Sequence, residues 1–408
     1  MAMTIYILAL TLLAFGLMWL PRLYRSRTWR AMVTPLASII GSGFLILGPL
    51  LQASYGKFAP LVMAALCVVA WSFGGAIRYT IAARAAPAKG AQQAGGAGES
   101  SALVAHLDRL SEAVLGFAYI ISVAYYLNLF GAFGTRLIWP DSPEAAPLLT
   151  SAVFVLILAV GWLRGFSSLE WMEYLSVSIK LAIIAGLLLG LAIFFSEKAA
   201  AGALFFLPAQ TSGWAALTLA FGLLVTVQGF ETSRYLGEEY SAEERVRSMR
   251  WAQIFSSLIY MIYTILLAYS FAALSLPIEE TAIIDLMGQV APILPIMLVI
   301  AALAAQFSAA VADTAGAGGL AHELSRRRLP PRWAYLLLVA AGLGLTWSVD
   351  LFQIIAYASR AFAAYYALQN AIAMFEARAR GAHGRAALFG ALSVLALLIV
   401  LFGKAAEA

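Results

Sequence analysis

The 408-residue chain is 62% hydrophobic and 12% charged, against roughly 45–50% and 25% in ordinary globular domains, so it has too little polar surface to cover a water-soluble body. Its formal net charge of +5 raises nucleic acid as a partner, but the arginines sit in short stretches between apolar runs, where they orient a chain in a membrane instead. Cys67, the only cysteine, lies inside such a run, which excludes a disulfide framework and argues against a zinc site.

Apolar runs of about 18 or more residues, each able to cross a hydrocarbon core of roughly 30 Å at about 1.5 Å per residue, recur along the chain and predict about twelve transmembrane helices. The first, 4–21, has no basic region before it and no small-residue cleavage site after it, so it reads as a retained helix. Arg22, Arg25, Arg27 and Arg30 follow it. Spans two and three, 31–53 and 59–83, lead into APAKGAQQAGGAGESS (86–101), small and polar, which reads as a flexible linker. Spans four to six are 111–138, 147–165 and 169–195, and an external loop over 195–213 follows. Spans seven to nine are 213–236, 248–276 and 289–316, and the last three are 333–349, 351–376 and 385–403. With the 22–30 loop cytoplasmic, twenty of the 26 Lys and Arg fall on the inner side. That bias predicts a multi-pass inner-membrane protein with its N-terminus outside.

Setting aside 1–30, an extra helix with its basic loop, and 377–408, a C-terminal helix, leaves ten spans in two blocks, 31–194 and 214–376. Each block has an odd number of spans, so the second runs inverted relative to the first. The first helix of each is interrupted around glycine: IIGSGFLILGP at 39–49 and VQGFETSRYLG at 227–237. A lone glycine cluster in a membrane helix is more often a close-packing device. Two in register across an inverted repeat point to a transporter's binding site, because unwinding frees N–H and C=O groups that lipid cannot satisfy and a solute or ion can. The half-helix N-termini suit a carboxylate, and the freed carbonyls suit an ammonium group or a cation.

The IIGSGF run of the second span, GKFAP at the third, GFETSRYLGEEY in the seventh and SRRRLPP after the ninth resemble the amino acid–polyamine–organocation (APC) superfamily over about residues 31–376. The resemblance implies an all-α integral membrane protein with the LeuT-type five-plus-five inverted repeat, alternating access, and a site between the second and seventh spans. It implies that Ile40, Gly41, Ser42 and Gly43 border a small-molecule substrate, the two glycines and the serine offering backbone N–H groups to its carboxylate, with Gln228, Gly229, Phe230 and Glu231 on the opposite wall. The extra N-terminal helix departs from the family pattern, as does Ala317-Gly318 where relatives carry Ser-Arg.

Lys180 lies about eleven residues into the sixth span, where a cation costs on the order of 2.5–3.5 kcal/mol. That depth of roughly 16 Å is too great for easy snorkelling. It resembles the lysine of proton-coupled APC permeases, whose ammonium takes the place of the sodium ion of sodium-coupled relatives, and an ammonium held away from water is a group that can lose and regain a proton. Asp313 of the ninth span is a candidate partner for Lys180, either as a proton-coupling pair or as a static one, and Thr314 beside it is placed to bond either. Glu231 reads equally as a proton-linked gate or as an acceptor for the freed backbone. Arg360 in the eleventh span either meets an anionic substrate or pairs with an acid on a neighbouring helix, and pairing is favoured. Tyr125 and Tyr126 place one phenol at the site or bond neighbouring carbonyls.

The three histidines, His106, His322 and His383, are too scattered for a metal or catalytic relay, so no metal and no cofactor is expected. No P-loop is present, and no nucleophile–base set marks an enzyme. The expected function is proton-coupled secondary transport of a small amino acid or related amine or organic solute, with a solute-sensing receptor or channel of the same fold as the rival. The sequence leaves the oligomeric state open.

Overall fold

Backbone in lipid must satisfy its own hydrogen bonds, which for a single chain without barrel-forming alternation means helices. The computed structural model describes residues 2–41, 43–85, 97–139, 142–163, 170–236, 239–272 and 279–405, and among these there is no strand. The chain begins with α1 (Ala2–Met18), the short α2 (Pro21–Tyr24), α3 (Arg27–Ile39), α4 (Gly43–Tyr55), α5 (Ala59–Ala85), α6 (Ala97–Arg136) and α7 (Ala145–Leu163). It continues through α8 (Glu170–Ala200), α9 (Gly213–Gly222), 3-10 turns at Leu224–Val227 and Phe230–Tyr235, and α10 (Ala242–Ser270). The chain closes with α11 (Ala282–Val290), α12 (Leu294–Leu324), α13 (Pro331–Ser348), α14 (Leu351–Ala379) and α15 (His383–Phe402).

Each of the twelve predicted segments falls on helix over its described residues, but the second, seventh and ninth are each split. Seven helical stretches among the described residues are long and apolar enough to cross a membrane. Helix α4 counts with α5 in one such stretch, Gly43–Ala85, whereas α3 with 13 residues and α9 with 10 fall short of the about 20 that a crossing needs. Leu12, Leu61 and Leu163 are each at least 68% exposed, as lipid-facing leucines are, and the chain is a multi-pass membrane protein.

Three local expectations change. Of the predicted linker 86–101, residues 86–96 lie outside the described residues, while 97–101 already belong to α6. The 289–316 span resolves into α11, a bend around Ala291, and α12, because Pro292 and Pro295 favour a helix start over a helix interior. The loop after α8 lies across the ends of α4 and α10: Lys57 N–H donates to Leu207 O (2.8 Å), Gln210 N–H to Ser54 O (3.0 Å) and Phe205 N–H to Tyr269 O (2.9 Å).

Packing places the split segments at the centre. Helix α3 contacts α8, α10 and α12, α4 contacts α5, α10 and α11, and the turns after α9 contact α3, α5, α10 and α14. Helix α6 lies against α7, α12 and α14, and α1 lies along α8. At one end, Ser241 caps α10 in a capping box with Glu244, whose carboxylate also pairs with Arg27 at 2.7 Å, tying α10 to the start of α3.

Candidate functional site

The two helix breaks pack on each other. Helix α3 stops at Ile39 and α4 restarts at Gly43; Ser42, a predicted substrate contact, lies outside the described residues. The second break runs through Gln228, which is extended, and Gly229, which has φ +119°. A Cβ on Gly229 would lie 2.7 Å from Ile39 N and closer still to the Ser38 side chain, and one on Gly43 would lie 2.6 Å from Thr226 Cα. Positive φ and contact with neighbouring backbone leave glycine as the residue that fits at 229. Gly229→Ala is therefore expected to destabilise the protein by at least about 2 kcal/mol, lowering the thermal inactivation temperature of purified protein; unchanged inactivation would mean the breaks are not locked together.

The freed backbone is answered by side chains from surrounding helices. Tyr260 of α10 places its hydroxyl 2.6 Å from Thr226 O and 2.9 Å from Ile39 O, one group shared between the two breaks. Ser359 of α14 accepts from Val225 N–H (2.9 Å) and donates to Gly222 O (2.6 Å). Glu231 accepts from Gly229 N–H (3.0 Å) and from the Tyr366 hydroxyl (2.8 Å), both at Oε2. The backbone-acceptor role for Glu231 is thus present in the geometry. Its other oxygen, Oε1, is buried and has no hydrogen-bond partner among the described residues.

An aromatic sheath closes over this junction. Phe230 stacks on Tyr366 (5.1 Å), which stacks in turn on Phe73 (5.2 Å). Gln228 donates to the Tyr126 hydroxyl at 3.4 Å, and Tyr125 lies 5.3 Å from Tyr126, ring to ring. Ile40, Gly41, Gly43, Gln228, Gly229, Phe230 and Glu231 are all buried.

Lys180 and Asp313 are both buried and both near α3, but they do not pair. The Lys180 ammonium donates to Ala37 O at 2.6 Å, reaching the end of α3 just before the break. Asp313 accepts from Ser122 of α6 at 2.5 Å. The candidate pair is thereby corrected: each group found its own hydrogen-bonding partner on a different neighbouring helix. Thr314 bonds neither, because its hydroxyl turns back onto Ala310 O of its own helix (2.6 Å). Arg360 is also corrected; it is exposed, donates to Val400 O of α15 (2.6 Å), and among the described residues meets neither an acid nor the breaks.

Open space lies beside the breaks. A cavity of about 470 Å³ is bordered by Tyr119, Thr232, Arg234, Asp313 and Glu323, within the roughly 300–1,000 Å³ of small-molecule sites. Beneath it Arg234 donates to Asp108 (2.8 Å) and to Gln369, while Arg84 pairs with Asp108 (2.6 Å) and Glu376 (3.0 Å). This clasp joins the turn after the second break to α5, α6 and α14. It was missed because Arg84 and Arg234 count equally well as orientation charges. Tyr260, Ser359 and Tyr366 were missed as well, although Ser359, Tyr366 and Asn370 mark one face of an otherwise Ala-rich helix.

A membrane bundle whose two interrupted helices meet at buried ionisable groups has the build of a transporter. A family model described as APC superfamily transporter matches residues 21–403, and the chain belongs to that superfamily. An uncharacterized protein of Aquifex aeolicus (strain VF5) is 40% identical over 410 residues, covering 100% of this chain and 98% of that protein. Among solved structures, a Na+-coupled sialic acid symporter in a substrate-bound outward-open state superposes with a TM-score of 0.55 at 13% identity, covering 100% of this chain and 98% of the other. At that identity the likeness establishes a common fold.

Proposed function

We propose that the protein is a proton-coupled secondary transporter that carries a small amino acid or related amine or organic solute across the inner membrane by alternating access. In this reading 31–194 and 214–376 are the two inverted five-helix repeats, twelve helices cross the membrane, and the N-terminus is outside. Substrate binds where the breaks meet, against Gly41, Gly43, Gln228 and Glu231, and reaches the side with most basic loops through the space beside Asp313.

The observation that carries the coupling reading is the Lys180–Ala37 bond. Backbone carbonyls at a broken helix end are natural cation ligands, and here a buried ammonium occupies the position from which such a carbonyl would be coordinated. A fixed cation there repels a sodium ion and takes its space. The sialic acid symporter that shares the fold is sodium-coupled, so coupling is the point to test. Proteoliposomes under an imposed pH gradient in sodium-free buffer are expected to accumulate solute, and a protonophore to collapse the accumulation. Sodium-dependent uptake indifferent to the protonophore would overturn proton coupling. The solute itself is best found by a thermal-shift screen of amino acids, amines and organic acids, since a ligand of the folded state raises stability by mass action.

A further inference from the structure

Outside the central site, the feature that asks for a ligand is the surface around Arg360. A groove of about 730 Å³ runs between α6, α13 and α14, walled by apolar side chains such as Phe117 and Ile121 and by the open flank of Gly344. Its polar lining is confined to Ser348, Tyr357 and Arg360. Tyr119 of α6 packs on Phe362 of α14 (6.1 Å between rings) and Gln369 donates to Ser111 (2.9 Å), two contacts that set these helices antiparallel, with Ile121 at the level of Arg360 and Phe117 one turn further along. The charge therefore sits near one end and apolar wall continues beyond it.

Arg360 is exposed on a face that otherwise meets lipid, and among the described residues no carboxylate pairs with it. Arg360 borders the groove, its Nε–H donates to Val400 O in the last turn of α15, and its two Nη groups have no acceptor among the described residues. A guanidinium keeps its charge and presents paired donors matched to a phosphate. An apolar trough ending at such a fork has the complementarity of an amphiphile with an anionic head and a hydrocarbon tail.

We infer that this groove binds an acidic glycerophospholipid, its phosphate on Arg360 and an acyl chain along Phe117, Ile121 and Gly344. The site is separate from the helix breaks and does not depend on what the protein transports. It also accounts for an arginine on a lipid-facing surface, a costly placement without an anion nearby.

The test is native mass spectrometry of the full chain in detergent, titrated with phosphatidylglycerol or phosphatidylcholine of identical acyl chains. Wild type is expected to bind phosphatidylglycerol more tightly. Arg360→Gln should weaken that binding about fivefold, the loss of one basic contact to an anionic lipid, while Arg360→Lys keeps the preference. A Cβ at Gly344 meets nothing within 4 Å, so Gly344→Leu starts from open space on the trough wall and should reduce binding of both lipids. Millimolar inorganic phosphate should not displace the lipid. Equal binding of the two lipids by wild type, a preference that survives Arg360→Gln, or displacement by phosphate alone would each overturn the assignment. An arginine that only caps α15 predicts the second of these, with thermal stability lowered equally in both lipids.

Discussion

Lys180→Ala is expected to abolish gradient-driven accumulation while weakening solute binding far less. The ammonium is buried at 1% exposure and holds Ala37 O across the interface between α8 and α3. Removing it leaves that carbonyl without its donor, at about 1–3 kcal/mol in stability, a loss a folded bundle of this size can absorb. The coupling charge is the Lys180 ammonium itself, the group bonded to Ala37 O near the end of α3. Lys180→Arg should fail as well, because a guanidinium stays protonated at any accessible pH and cannot release its proton. A lysine that only fastens α8 to α3 makes the opposite forecast. Arginine would then restore the bond and transport together, and alanine would lose folding and binding in step. Binding by calorimetry and proton-driven uptake in proteoliposomes, measured on both variants, separate the two, and normal accumulation by either variant would end the coupling role.

The sequence made the helices and the two breaks legible because both are written in local chemistry. Long apolar runs mark the helices, and glycine where the backbone must leave the helical region marks the breaks. Lys180 was legible for the same reason, as a charge too deep to reach water. The partners were not. Asp313 and Lys180 lie 133 positions apart on helices whose rotation no periodicity fixes, and the structure turns one toward Ser122 and the other toward Ala37. Arg360 shows the same limit: its position in α14 signalled a buried charge, but its face of the helix points outward to α15. Tyr260 was hidden because an interior tyrosine in an apolar span has many ordinary uses, and only the fold shows its hydroxyl between Thr226 O and Ile39 O.

Glu231 gives the second large effect, and comparing two substitutions separates its roles. Its Oε2 takes hydrogen bonds from Gly229 N–H and Tyr366, while Oε1 is buried without a partner among the described residues. Glu231→Ala removes the acceptor for both donors, each costing about 1–3 kcal/mol when left unpaired, so the second break should loosen and thermal stability fall. Glu231→Gln retains a carbonyl oxygen for those two donors and replaces the open Oε1 with an amide nitrogen. Folding should survive it. Function should not, if Oε1 is where the ammonium of a solute or a transported proton is received, because the amide offers hydrogens where the carboxylate offered charge and lone pairs. Losing a hydrogen bond to a charged group is worth about 1.5–3 kcal/mol, so binding of an amine-bearing solute should weaken roughly tenfold to a hundredfold. Glutamine with wild-type stability and wild-type affinity would reduce Glu231 to a cap on the broken helix. The solute's amino group would then have to be received elsewhere, with Asp313, the other buried acid beside the junction, the next side chain to replace.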